Sequence, residues 1–81
     1  MKTYVLVSQG FKIDEISDKE AAIEIADSEN QRWINYVKRC VLNDEPYADN
    51  EFFVYEVTDG DIENSKLIRD AGGDVKEGPF L

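Results

Sequence analysis

The amino-acid sequence predicts an α+β domain in which a small antiparallel sheet packs on one long or two short helices, in the order ββα(α)ββ. Three observations carry this. Two short alternating segments flank Gln9-Gly10 near the N-terminus, a serine-headed capping sequence then opens an apolar stripe at helical spacing, and an aromatic, β-branched run precedes Asp59-Gly60. A chain of 81 residues supports a single hydrophobic core, so residues 1–81 read as one domain with 72–81 as an irregular tail.

Residues 3–8 (TYVLVS) and 11–16 (FKIDEI) read as strands joined by a two-residue turn, with Gly10 tolerating the positive φ that such a turn requires. In that register Leu6 faces Ile13 and Ser8 faces Phe11. Tyr4, Leu6, Phe11 and Ile13 then share the core face, while Val5 and Val7 share the other with Lys12 and Asp14. Ser17 and Glu20 form a capping box that starts a helix. Its stripe comprises Ala22, Ile23, Ala26, Trp33, Ile34, Val37, Cys40 and Val41, and the polar stretch 27–31 interrupts it. Ser28-Glu29-Asn30-Gln31 has the form of a second capping box, which favours a break or kink near Ser28 over one continuous helix. Residues 43–50 (NDEPYADN) form a loop. Residues 51–57 (EFFVYEV) form the clearest strand, and Asp59-Gly60 is a type I′ turn that returns residues 61–68 as a final strand. That hairpin sets Val57 opposite Ile62 and Glu56 opposite Glu63. The like-charge pair is unfavourable, so a helix over 61–71 stays open as the alternative.

Hydrophobic content of 42% argues for a folded domain. The net charge of -9 argues against direct contact with nucleic acid or an anionic membrane, and leaves basic proteins as the natural partners. A single cysteine, Cys40, excludes an internal disulfide and a Cys-cluster metal site. With no long apolar run and no basic-then-apolar leader, the expected location is cytoplasmic. The absence of histidine removes the commonest general base and the Ser-His and Cys-His nucleophile pairs, so the expected function is non-catalytic, with no cofactor and no metal. Asp59, Asp61, Glu63 and Asp70 fall at calcium-loop offsets, but Asn64 stands where the loop needs glycine and a strand stands where it needs a helix. Cys40 and Trp33 lie on the apolar stripe and read as core.

Two surfaces emerge as candidates. The strand 51–57 is apolar on both sides, and Val5 and Val7 repeat the hint. A sheet-face interface of Phe52, Val54, Val5 and Val7 is therefore expected, covered by Leu67, Ile68, Val75 and Phe80 or by another chain such as a second copy. The other candidate is acidic. No Lys or Arg lies between Arg39 and Lys66, and the stretch 14–29 carries only Lys19 against its carboxylates. Asp44, Glu45, Asp49 and Glu51, joined by Glu24, Asp27 and Glu29, are the expected partner-binding residues, each pairing with Arg or Lys where phosphate otherwise sits.

The ordering YVLVSQGFKIDEISDKEAAIEIA, a longer helix and EFFVYEV resembles the layout of small phage-encoded accessory proteins, anti-CRISPR and other anti-defence proteins among them. The resemblance covers about the first two thirds of the chain and brings no functional residues with it. It implies binding and blocking a host enzyme. The combined expectation is an acidic inhibitor or modulator that occupies a basic nucleic-acid-binding surface, with a homo-oligomeric assembly module built on the apolar sheet face as the alternative.

Overall fold

A computed structural model describes residues 1–72. Strands β1 (Lys2–Ser8) and β2 (Phe11–Ile16) lead into one helix, α1 (Lys19–Leu42), followed by β3 (Phe52–Thr58) and β4 (Lys66–Arg69). All neighbouring strands are antiparallel, in the order β2-β1-β3-β4. The architecture is the expected α+β domain with order ββαββ, and residues 61–71 contain a strand rather than a helix.

Both short turns take the dihedrals that their sequences call for. Gln9 and Gly10 have φ of 56° and 80°, and Asp59 and Gly60 have φ of 51° and 77°. Positive φ at both central positions is the type I′ signature, and at Gln9-Gly10 its twist matches that of the two strands joined there.

The helix starts one residue later than the capping box implied. Asp18 is the N-cap, its Oδ1 accepting from the Glu20 amide at 3.1 Å. No break occurs near Ser28, and α1 runs for 24 residues. At about 1.5 Å per residue it is about 36 Å long, against about 23 Å for a seven-residue strand, so it overhangs the sheet. Two clusters result. Tyr4, Leu6, Ala22, Ala26 and Val54 form the core between sheet and helix, with Ile16, Phe52 and Ile68 against it. Trp33 and Val37 form a second cluster on the C-terminal half of the helix, with Ile34, Tyr36, Val41 and Ala71. Cys40 is buried on the same helix.

The polar stretch that suggested a break marks the seam between these clusters. Asn30 is buried, and its Nδ2 donates to the Phe52 carbonyl at 3.0 Å while its Oδ1 accepts from the Phe52 amide at 2.7 Å. A buried carboxamide that binds both backbone groups of one residue needs no helix break to satisfy it.

Two register expectations change. A bulge between Leu6 and Val7 pairs Leu6 with Asp14 and Tyr4 with Ile16, leaving Ile13 as the extra residue. Ile16 thereby replaces Ile13 at the core, and Phe11 and Ile13 remain 71% and 53% exposed. At the other edge β4 does not follow directly from the turn. Residues 61–65 loop out, and Lys66 rather than Glu63 lies opposite Glu56, which removes the like-charge pair.

Candidate protein-binding surfaces

The loop between α1 and β3 is built as a sequence of tethers. At its start the Glu45 amide donates to the Cys40 carbonyl at 2.8 Å and the Asp44 amide to the Val41 carbonyl at 3.2 Å. This pair of bonds is a Schellman motif, with Asp44 at the left-handed position, φ 56°, that glycine usually takes. In the middle, Trp33 Nε1 donates to the Ala48 carbonyl at 2.8 Å, and the Ala48 amide donates to Tyr36 Oη at 3.4 Å. Near its end the Glu51 amide donates to Asp49 Oδ1 at 3.3 Å, and Gln9 Nε2 donates to Asn50 Oδ1. Asp44, Glu45 and Asp49 are exposed along this tethered course.

The remaining acidic candidates do not join them. Glu51 is only 3% exposed, and its Oε2 accepts from the Ala71 amide at 3.0 Å. It ties Ala71, after β4, to the residue just before β3, and its burial keeps it from serving as a surface contact. Asp27 forms a two-bond pair with Arg69, accepting from Nε at 2.8 Å and from Nη2 at 2.7 Å. The Arg69 hydrogen bond holds the Asp27 carboxyl below its ordinary range, and Asp27 in turn raises Arg69. Glu29 accepts from Arg32 at 3.3 Å. Glu24 is exposed but lies 18 residues before the helix end at Leu42, an axial distance of about 27 Å from the loop. The seven carboxylates therefore do not make one stripe. The sequence alone could not separate them, since burial of Glu51 and pairing of Asp27 are set by partners 20 and 42 residues away.

The sheet-face group is also divided. Register pairs Val5 with Tyr55 and Val7 with Phe53, while Leu6 pairs with Val54 and Ser8 with Phe52. Facing pairs share a side, so Phe52 and Val54 lie under the helix and Val5 and Val7 lie on the opposite face. The face away from the helix carries Val5, Val7, Phe53, Tyr55 and Leu67, with Val57 buried at 4% exposure beside them, and is bordered on β2 by Lys12 and Glu15. Sequence reasoning missed Phe53 and Tyr55 as the companions of Val5 and Val7. Alternation along β3 had separated 53 and 55 from 52 and 54, but only the β1–β3 register says which set joins which. Of the expected covering residues, Ile68 packs on the helix side, Leu67 lies on the face away from the helix, and Val75 and Phe80 fall outside the described residues.

Val5, Val7, Tyr55 and Val57 floor a cavity of about 390 Å³ on this face, with Ile62 and the Lys12–Glu15 ion pair on its walls. Asp59, at the start of the loop that carries Ile62, pairs with the N-terminal amine, which holds its carboxyl below the ordinary range. Among the described residues no group of three or more His, Cys, Asp or Glu is placed to hold a metal ion, and no helix is long and apolar enough to cross a membrane. No protein-family model, no curated protein and no solved structure matches this chain.

Proposed function

We propose that this chain is a non-catalytic, acidic protein-binding domain that docks on a basic surface of another protein. In the specific form of the proposal, the partner is a nucleic-acid-handling enzyme, the chain inhibits or modulates it, and the setting is cytoplasmic, as for the phage accessory proteins whose layout the sequence resembles. The observation that carries this reading is the tethered loop with Asp44, Glu45 and Asp49 exposed on it. Each tether limits the freedom that binding would otherwise have to remove, so carboxylates held this way lose less entropy when they meet a partner. Asp44 and Glu45 also stand beyond the C-terminus of α1, where the helix dipole is negative and disfavours acids. A basic partner relieves that repulsion, and its Arg or Lys side chains supply charge-assisted bonds.

The test is a titration of the labelled protein against a panel of basic nucleases and polymerases at low and high salt. Binding that weakens as salt rises, and weakens again in Glu45→Gln with Asp49→Asn, is the expected result. Affinity that ignores both salt and these substitutions refutes the acidic-loop reading.

A further inference from the structure

The face of the sheet away from the helix carries two parallel rows. One runs Glu15, Val5, Tyr55, Leu67 across the four strands, and the next runs Lys12, Val7, Phe53 across three of them. Between the rows, on the opposite side of the sheet, lie Leu6 and Val54. Val5 matches Val7 and Tyr55 matches Phe53 in type, Glu15 and Lys12 carry opposite charges at the β2 edge, and Leu67 extends the first row alone. A surface with that pattern is complementary to itself under a two-fold rotation.

We propose that this face is an isologous dimer interface occupied by a second copy of the chain, about a two-fold axis that crosses the strands at the level of Leu6 and Val54. Such an axis lays each strand antiparallel on its own counterpart, with the sheets about 10 Å apart and the helices outermost. The first row of one copy then covers the second row of the other. Val5 meets Val7, Tyr55 meets Phe53 as an aromatic pair, and Lys12 meets Glu15 on both sides of the axis. Ile62, 74% exposed beside the cavity, stands at one end of the face, and the rotation places one such residue at each end.

The size of the face sets the strength. Four strands about 4.8 Å apart and about five residues at about 3.4 Å each give a patch of roughly 19 by 17 Å. That is well below the roughly 800 Å² per partner of a standard interface, so the dimer is weak and concentration-dependent. Each copy carries a net charge of -9, and the two repel. Screening that repulsion strengthens the dimer as salt rises, which is the opposite of the salt dependence expected for acidic-loop binding. The two readings therefore fail separately.

Sedimentation velocity of the full chain over a concentration series, at low and high salt, tests the interface. A dimer fraction that grows with concentration and with salt is expected. Lys12→Glu, on an exposed side chain whose change leaves the core intact, sets like charges across the axis twice and is expected to weaken the dimer by about tenfold or more. The combined exchange Lys12→Glu with Glu15→Lys is expected to restore it, at unchanged net charge. A monomer under every condition overturns the proposal, and is the outcome if residues 73–81 or a different protein cover the face. A dimer indifferent to Lys12→Glu and to Val7→Lys overturns it equally, because its interface then lies elsewhere.

Discussion

The carboxamide of Asn30 holds both backbone groups of Phe52, donating to the carbonyl at 3.0 Å and accepting from the amide at 2.7 Å. Among the described residues β4 pairs only with Val54, Tyr55 and Glu56, and no strand reaches Phe52 on that flank. Asn30 takes the place of the missing residue and fixes the helix to the sheet where the two apolar clusters meet. Replacing it by Ala or Leu orphans a buried donor and a buried acceptor together. The expected cost is about 2 kcal/mol, within the roughly 1–3 kcal/mol range for unsatisfied buried groups. For a domain this size that is a fall in Tm of about 10 °C. Asn30→Asp keeps the acceptor but aims a carboxylate at the Phe52 carbonyl, and is expected to be no better than Ala. Urea unfolding of the three variants checks the order, and a loss below about 0.5 kcal/mol for Asn30→Ala removes the structural role.

The register of strand β4 sets opposite charges across from each other. Slipping residues 61–65 out of the hairpin puts Lys66 opposite Glu56, which Lys2 also approaches at 3.2 Å. Lys66→Glu re-creates the like-charge opposition that a direct hairpin would have had. It is expected to destabilise the domain by roughly 0.2–1 kcal/mol, the range for cross-strand pairs. The effect should be local, because β4 is a four-residue edge strand. Amide exchange at residues 66–69 is expected to accelerate while that of Leu6 and Val54 changes little, and uniform acceleration across the sheet would contradict the local account.

What the sequence made legible were features decided within a few residues. Alternation located β1 and β3, and both positive-φ turns were visible as Gln9-Gly10 and Asp59-Gly60. The clash of Glu56 with Glu63 was also visible, though not the slip that avoids it. What stayed hidden depends on distant partners. The polar stretch 27–31 suggested a break near Ser28 because the backbone that Asn30 satisfies lies 22 residues on, and Glu51 looked like a surface acid because the amide it binds lies 20 residues on. The bulge that replaces Ile13 by Ile16 has no glycine or proline to announce it. Parity of Val5 and Val7 with Phe53 and Tyr55, which decides the sheet face away from the helix, follows only from strand register.

Asp44 offers a way to separate fold from function in the acidic loop. It occupies a left-handed conformation in the helix cap, where an L side chain is strained and glycine is not. Asp44→Gly also removes a carboxylate from the negative end of the helix. The substitution is expected to stabilise the domain by about 0.5–1 kcal/mol, of the size seen for backbone changes matched to their dihedrals. A simultaneous loss of affinity for a basic partner would mean that stability had been given up at this position for binding. Asp44→Ala removes the same charge but keeps the strain. A Tm for Asp44→Ala equal to that of Asp44→Gly would show that the cap conformation carries none of the effect.

The Asp27–Arg69 pair gives stability a specific pH dependence. Its native carboxyl titrates below the ordinary aspartate value because the protein's Arg69 binds the ionised form. A group whose pKa is depressed by folding contributes fully above its unfolded value, about 3.9, and loses that contribution as pH falls through the native value. Both side chains are nearly half exposed, so solvent screens the pair and the contribution belongs in the roughly 0.2–1 kcal/mol range of surface pairs, with the two-bond geometry favouring its upper end. A second effect runs the other way. The whole chain, with a sequence pI near 4.3, sheds its negative self-repulsion as pH drops towards that value. Total stability therefore mixes the two, and the informative quantity is the difference between the parent protein and Asp27→Asn. That difference is expected to be constant from neutral pH down to about 5 and to shrink below about 4. Urea titrations at several pH values measure it. A difference that instead grows on acidification would mean that the pair stabilises the protonated form, contrary to the geometry of the two bonds.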